Sequence, residues 1–316
     1  MRKDSVNIEV PEILPPSDDG VFKTLLTHPN AGPCLRDIIS SNIGLTVKEA
    51  TVRNTELPIS DVLEKRERFD VSCEIDGGGQ VEVEMQAEPM EGDSLLHGHT
   101  NMKNRAIYNV CDLHSNQRGV GVSYGKLART YQITFCGYTV FKNRENCFSR
   151  FSFRNEEGEE LADAVSILFV ELSKLERVLK KPVGAMTGAE MWAIFLVCAN
   201  SPKHRELLKE IIGAREAIRM AYDLLTSISQ DADERARFRA RRKFQMDWEH
   251  TRIVSFEEGE LKGRLEGRLE GELEGKLEVA RNLLANGVAS DIVVRSTGLS
   301  PETIQEYAQK DWPGAS

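Results

Sequence analysis

Three polar side chains, in two neighbouring segments of the chain, are of the types that hold a metal ion. Asp70 lies in an alternating segment at 68–75. Glu84 and Gln86 lie in a second segment at 80–86, two residues apart and therefore on one face of a strand. If the segments pair as a hairpin, Asp70 comes opposite Glu84. Because Mg²⁺ prefers one or two carboxylates with waters and phosphate oxygens, this pair is predicted to bind a hard divalent cation.

The side chain of Gln86 would lie next to that ion, where it can orient a water molecule. An Asp, a turn and then Glu-x-Lys, or Glu with an equivalent polar residue, is the order in which metal-dependent phosphodiesterases of the restriction-nuclease type build their site. There the metal polarises the phosphoryl oxygen, activates the water and neutralises the leaving group. The alternative is an ordinary sheet edge, with the polar residues at 82, 84 and 86 facing solvent. The spacing alone does not separate these two interpretations.

Sequence patterns predict the elements that would position these side chains. Asp76-Gly77 between two alternating segments is a strong hairpin signal. The extended leader ends in Pro15-Pro16-Ser17-Asp18-Asp19, and an Asp there supplies an N-cap for a helix at 20–42. The patterns also predict strands at 47–52, 131–141 and 166–171 and helices at 100–114, 191–200 and 207–228. Together these segments indicate an α/β or α+β core.

A basic segment follows the predicted core. Between 235 and 243, six of nine residues are Arg or Lys. They either contact a DNA backbone or form a solvated helix face, balanced by the acidic residues at 231, 233 and 234. The six are Arg235, Arg237, Arg239, Arg241, Arg242 and Lys243.

A repeat at 256–278 places Gly and Leu every four residues. Glycine costs up to about 1 kcal/mol at each site in a helix interior, so five of them call for a compensating contact. The parallel Leu and Gly stripes therefore favour self-association, and the alternative is a solvated charged linker. The segment at 279–312 predicts two short helices. They could form a helix-turn-helix, but their few basic residues favour a small packing or docking module.

Composition excludes several classes of protein. No segment has the roughly 18 uncharged apolar residues of a membrane span, and no apolar core follows the N-terminal basic pair as in a secretion signal. We therefore expect a cytoplasmic protein, and in a long chain without a signal peptide the six cysteines are expected to be reduced thiols. Because they form no C-x-x-C pair and are not closely spaced, neither a disulfide framework nor a zinc ribbon is expected. The net charge of -9 argues against an architectural nucleic-acid protein, although it leaves room for a local DNA site.

Several short motifs occur along the chain in the order found in one nuclease family. Val83-Glu84-Met85-Gln86 resembles that family's Glu-x-Gln hallmark, and Asp70 resembles its first metal-binding Asp. Asp19-Gly20-Val21-Phe22-Lys23 resembles its opening motif, and Arg105-Ala106-Ile107-Tyr108 resembles its Arg-x-x-Tyr helix. Further similarities are Gly121, Tyr124 and Leu127, the strand at 131–133, the Arg-rich segment, the glycine repeat and Thr297-Gly298-Leu299-Ser300. The family is the recombination-promoting nuclease/transposase (Rpn) family of the PD-(D/E)XK nuclease superfamily.

This resemblance implies a fold and an activity. The fold is α/β, a restriction-endonuclease-like mixed central sheet flanked by helices and followed by a helical C-terminal region. The activity is Mg²⁺-dependent DNA endonuclease cleavage, with Mn²⁺ as a substitute and recombination as a consequence of the breaks. The implied parts are a nuclease core at 1–155, a mostly helical extension at 156–255, a helical Gly/Leu repeat at 256–278 and a small helical module at 279–316. The repeat would make the chain a homo-oligomer.

The resemblance also suggests a role for each candidate residue. Asp70 and Glu84 bind the metal, with the Met85 carbonyl as a third ligand, while Gln86 orients the attacking water. In this family Gln replaces the superfamily's Lys, so a slower nuclease is expected because Gln brings no positive charge. Asp19 either completes the metal shell through water or is a plain N-cap, and Tyr108 is expected in the core. The predicted DNA contacts are Lys23, Arg105, Arg239, Arg241, Arg242 and Lys243. For Lys23 and Arg105 the alternative is a solvated charge on a helix.

A second hypothesis is a catalytically idle protein that binds DNA and self-assembles. In that case the hairpin is only part of a sheet and binds no Mg²⁺. The presence of Asp70, Glu84 and Gln86 together argues against it. A true transposase is a weaker third option, since no residue reports strand transfer or the recognition of DNA ends.

Overall fold

The computed structural model describes residues 12–53, 71–89, 99–117 and 123–308. The chain divides into two compact units, at 1–241 and 242–316. Among the described residues, no helix is long and apolar enough to cross a membrane.

The first unit is built on a six-stranded mixed sheet with the strand order β1-β2-β3-β4-β6-β5. Neighbouring strands are antiparallel from β1 to β3 and between β6 and β5, and parallel from β3 through β4 to β6. The strands are β1 (Ala50–Val52), β2 (Val71–Ile75), β3 (Gly79–Gln86), β4 (Thr130–Cys136), β5 (Phe148–Phe151) and β6 (Val165–Glu171).

Helices cover both faces of this sheet. On one face the buried apolar side chains of β2, β3 and β4 join a core with five helices. These are α1 (Asp19–Thr27), α2 (Gly32–Ile43), α4 (Gly188–Cys198), α5 (Arg205–Ala214) and α6 (Glu216–Gln230). On the other face lies α3 (Thr100–Ser115), which buries Met102, Ala106 and Val110. This arrangement confirms the predicted mixed sheet flanked by helices.

The predicted hairpin is formed by β2 and β3, which pair with Val71 opposite Val83. Its turn, Asp76–Gly78, has Gly77 at a φ of 73° and Gly78 at 82°, a left-handed conformation that glycine adopts without strain. The Asp76 carboxylate accepts hydrogen bonds from the backbone N–H groups of Lys48 and Glu49. The turn is thereby tied to the segment that leads into β1.

Some predicted boundaries were wrong. The helix expected at 20–42 is two helices, broken between His28 and Ala31, where Pro29 cannot continue a helix. The strand expected at 131–141 ends at Cys136. The next residue, Gly137, lies so close to Ala87 that a Cβ there would be 2.4 Å from the Ala87 carbonyl oxygen. The short edge strand β5 was missed.

A single helix, α7 (Ala232–Ala285), contains both the basic segment and the glycine repeat. Along the repeat, Leu261, Leu265, Leu269 and Leu273 are exposed, and a Cβ built on any of the five glycines would meet no described atom within 4 Å. In the second unit, α8 (Ser290–Thr297) and α9 (Pro301–Ala308) pack around a small cluster. That cluster consists of Ala280, Val293, Leu299 and Ile304.

Candidate active site

The site is built around Glu84, near the C-terminal end of β3. Val81, Val83 and Met85 point into the large core, so Glu84 points to the opposite face of the sheet, towards α3. It is only 1% exposed. A carboxylate at that depth requires a compensating charge or several hydrogen bonds.

Arg105 supplies this charge and connects two of the predicted site residues. Its Nη2 lies 2.7 Å from Glu84 Oε1, and its Nη1 donates a hydrogen bond of 3.2 Å to Gln86 Oε1. The Gln86 Nε2 in turn donates to the Glu88 carbonyl at 2.8 Å. Because α3 buries Met102 and Ala106 against the sheet, it holds the intervening Arg105 over the end of β3. The structure therefore brings Glu84, Gln86 and Arg105 together.

Gln132 is a site residue that the sequence analysis missed. It lies on the central strand β4, is fully buried, and its Nε2 is 3.4 Å from both Glu84 Oε2 and Thr134 Oγ1. Its Oε1 has no hydrogen-bond partner among the described residues. The signal was present in the sequence. Thr130, Gln132 and Thr134 alternate with large apolar residues in a strand that is buried on both faces, so the polar side chains form a buried polar stripe.

Asp19 also lies close to the C-terminal end of β3. Its Oδ1 accepts a 2.9 Å hydrogen bond from the backbone N–H of Ala87, the residue after β3. Desolvation raises the pKa of the Asp19 carboxyl to about 7, although the Ala87 hydrogen bond and the nearby guanidinium of Arg105 lower it. The carboxylate is thus close to the site and poorly compensated when charged.

The N-cap alternative for Asp19 was wrong. Asp18 caps α1, accepting a hydrogen bond from the Val21 N–H at 3.1 Å, and Asp19 is the first residue of the helix. Asp18 also pairs with Arg241 Nη2 at 3.1 Å. Gly20 allows that approach, since a Cβ there would lie 2.3 Å from Arg241 Cζ.

The other residues predicted to contact DNA differ in exposure. Lys23 is buried, at 6% exposure. Arg241 is used in the ion pair with Asp18, whereas Arg239 and Lys243 are exposed on α7. Arg242 is also exposed and donates to Gln245 Oε1 within the same helix.

Tyr108 and Asp70 complete the set of predicted residues. Tyr108 is 65% exposed, so the expectation that it packs in the core was wrong. Asp70 precedes β2 directly and lies outside the described residues. Within the described ranges, no group of three or more His, Cys, Asp or Glu side chains is arranged to hold a metal ion.

The donor chemistry near Glu84 nevertheless fits a hard cation. Glu84, Asp19 and Gln86 all offer oxygen atoms, which Mg²⁺ and Mn²⁺ prefer over nitrogen and sulfur. The Arg105 guanidinium forms an ion pair with Glu84, so this carboxylate already has a cation beside it. The described residues can therefore contribute part of a metal site.

Comparison with known proteins identifies the family. A model of the PD-(D/E)XK nuclease family transposases matches residues 16–252, more than half of the chain. The chain belongs to this family. Residues 273–309 match the C-terminal HTH domain of the Rpn/YhgA-like nuclease family. No curated protein and no solved structure gives a significant match.

These matches confirm the resemblance to the Rpn family and the restriction-endonuclease-like fold. They indicate a nuclease or transposase-like function, and the HTH domain suggests DNA binding. The preference for a packing module at the C-terminus was wrong. It rested on the few basic residues there, whereas the spacing of two short helices around Gly298 carried the better signal.

Proposed function

We propose that this protein is a divalent-metal-dependent DNA endonuclease that hydrolyses phosphodiester bonds, and that its breaks promote recombination. The observation that carries the proposal is the convergence of Glu84, Gln86 and Arg105 at the end of β3, in a chain of a nuclease family. A buried carboxylate, a water-orienting amide and a cation suited to phosphate are the groups that such hydrolysis requires.

Asp70 and Glu84 are the proposed metal ligands, with the Met85 carbonyl and, through water, Asp19. β2 and β3 pair antiparallel with Val71 opposite Val83, and Asp70 comes directly before Val71 in the chain while Glu84 comes directly after Val83. The backbone of β3 bonds to β4 through its even-numbered residues, as when Gln86 accepts from the Gly137 N–H. The carbonyl of Met85 is therefore directed away from β4. We propose Mg²⁺ as the ion, with Mn²⁺ as a substitute.

The ion, when bound, would polarise the phosphoryl oxygen and lower the pKa of the attacking water. Gln86 positions that water by accepting a hydrogen bond at Oε1, the atom that now accepts from Arg105. Arg105 is proposed to bind a phosphate that flanks the scissile bond, and the buried Lys23 remains a candidate only if its ammonium group becomes exposed on DNA binding. Because Gln86 is neutral, the rate is expected to be lower than that of a Lys-containing site.

DNA is the proposed partner of both units. The exposed side chains of Arg239, Arg242 and Lys243 are candidates for backbone contacts. Arg241 remains a candidate only if it exchanges Asp18 for phosphate. The division at 155, 255 and 278 into core, extension, repeat and module stays a proposal.

We also propose that the exposed Leu and Gly stripes of α7 join copies of this chain into a homo-oligomer. Four leucines along the repeat are between 45% and 66% exposed, an unusual arrangement on a charged helix. The glycines leave room for a second helix to approach closely.

Plasmid cleavage with Mg²⁺ or Mn²⁺ tests the proposed activity. Wild-type protein is expected to nick supercoiled DNA, and Asp70→Ala and Glu84→Ala are each expected to lose at least about 100-fold in rate, the scale of a lost electrostatic stabiliser. Glu74→Ala is the control, because Glu74 is a carboxylate of the same hairpin that pairs with Arg53. Cleavage that survives both site changes would refute the proposal.

The catalytically idle DNA-binding protein remains the second candidate, for one specific reason. Arg105 already neutralises Glu84 without a metal, so the fold does not require one. Titration with Mn²⁺ distinguishes the two, since an idle hairpin gives no saturable binding that depends on Glu84.

A further inference from the structure

We propose that Arg105 is a displaceable counter-ion of the site. It holds Glu84 and Gln86 in the metal-free protein, yields Glu84 to a divalent cation, and then presents its guanidinium to a DNA phosphate. This inference rests on the proposed function, which takes Glu84 as a metal ligand, Gln86 as the residue that positions the water and DNA as the substrate.

The geometry of the guanidinium supports the role of Arg105 in holding Glu84 and Gln86 in the metal-free protein. One fork, through Nη2 and Nη1, contacts both the carboxylate of Glu84 at 2.7 Å and the amide oxygen of Gln86 at 3.2 Å. These are the two oxygens that hydrolysis needs, one for the ion and one for the water. As long as Arg105 stays there, neither is in its working arrangement.

Electrostatics supports the exchange of Arg105 for a divalent cation at Glu84. Glu84 is almost completely buried, and like charges in such a low-dielectric position repel strongly. A divalent ion bound to Glu84 would lie beside the positively charged guanidinium, and the two cations would repel each other. Repulsion between the two cations makes it unfavourable for Glu84 to bind both at once, so Arg105 competes with the metal.

The exposure of Arg105 and its neighbours supports the binding of a DNA phosphate by the released guanidinium. The side chain of Arg105 is 28% exposed, unlike that of Glu84, so part of it borders solvent. The residue one turn further along α3, Tyr108, is 65% exposed, and Asn104 is also exposed, so this side of the helix is open to a ligand. A planar guanidinium matches the oxygens of phosphate in a bidentate fashion. Once released, Arg105 is positioned to bind DNA.

Competition of this kind couples the two ligands of the site. If metal binding frees a phosphate-binding group, the metal tightens DNA binding, and by reciprocity DNA tightens metal binding to the same extent. The protein would then hold its metal weakly when alone and firmly on DNA. Arg105 is thus a residue that makes cleavage depend on the joint presence of both ligands.

The test measures Mn²⁺ binding by titration calorimetry on the full chain without DNA. Arg105→Gln is expected to bind Mn²⁺ at least threefold more tightly than wild type, and Arg105→Lys more tightly by a smaller factor, since Lys keeps the charge but not the fork. Arg144→Gln removes a guanidinium that lies over the rings of Phe141 and Phe151 and should bind Mn²⁺ like wild type. Unchanged or weaker binding by Arg105→Gln would overturn the inference. If that variant does not fold, unchanged or weaker binding by Arg105→Lys would overturn it.

A second readout follows the coupling. Anisotropy of a phosphorothioate duplex, with and without Mn²⁺, is expected to show metal-dependent tightening in wild type and at least a threefold smaller effect in Arg105→Gln. Equal tightening in both proteins would overturn the inference. Glu84→Gln separates this from the proposed function: if it leaves Mn²⁺ binding unchanged, the metal site itself is wrong. If it abolishes binding while Arg105→Gln has no effect, only the competition is wrong.

Discussion

Adjacent residues at the start of α1 illustrate how finely roles are divided at this site. Asp18 caps the helix and pairs with Arg241, so its function is structural. Asp19 turns to the end of β3 instead and accepts from Ala87. The sequence motif does not distinguish the two carboxylates, because either could cap a helix beginning at this point.

Substitutions at these two positions are expected to have opposite effects on stability. Asp18→Ala removes an N-cap and should lower the free energy of unfolding by about 1–2 kcal/mol. Asp19→Asn keeps an acceptor for the Ala87 N–H and removes a poorly compensated charge. It should therefore leave the metal-free protein at least as stable as wild type near neutral pH, while weakening metal binding.

The pH dependence provides the sharper test. Folding raises the pKa of Asp19 from 3.8 to about 7, so its favourable contribution is complete below pH 3.8 and is lost as the pH rises through about 7. Asp19→Asn escapes this loss. In urea unfolding without metal, the free energy of unfolding of the variant should rise relative to that of wild type between pH 4 and 7. Above pH 7 the difference should stay constant. A difference that does not change with pH would contradict the assignment.

At the scale of elements, the hairpin was predictable and its neighbours were not. Alternation and the Asp76-Gly77 turn are local signals, and they correctly paired β2 with β3. The position of Gln132 beside Glu84 depends on parallel pairing of β3 with β4, across the whole of α3. Arg105 reaches Glu84 only because α3 crosses that strand end. Such long-range placement has no local periodicity, so the sequence could not predict these contacts.

The α7 repeat was predicted as a helical repeat, although five glycines oppose helix formation. The structure nevertheless continues the helix through all of them, with no described atom near the positions of their absent Cβ atoms. The glycine penalty then has no compensation within the described chain. This is the physical reason for proposing a second copy against the repeat.

Alanine at Gly263 and Gly267 should therefore separate helix stability from assembly. The double substitution is expected to stabilise the helix by up to about 1 kcal/mol per site, visible as a higher melting temperature of the helical signal. If two helices approach closely at the glycines, added methyl groups should weaken association in sedimentation velocity. Glu270→Ala is the matched control on the same helix. Undiminished association in the glycine variant would exclude close packing at the Gly stripe.

At the scale of the whole molecule, charge sets how DNA can be bound. The net charge of -9 opposes a general attraction to a polyanion. Binding must then rely on local cations, whose field extends over a screening length of about 8 Å in physiological salt. Arg239 and Lys243, one turn apart on α7, are exposed and so are suited to this role.

Charge reversal of Arg239 and Lys243 tests whether α7 contacts the DNA backbone. Arg239→Glu with Lys243→Glu should weaken binding of a short duplex and flatten the plot of log affinity against log salt by roughly 0.9 for each lost phosphate contact. Reversal of Lys209 and Arg219, two exposed cations on α5 and α6, changes the net charge equally and serves as the control. If both double variants lose affinity to the same degree, only the overall charge matters. A loss confined to the α7 pair would identify a local phosphate contact through which an acidic protein can hold DNA.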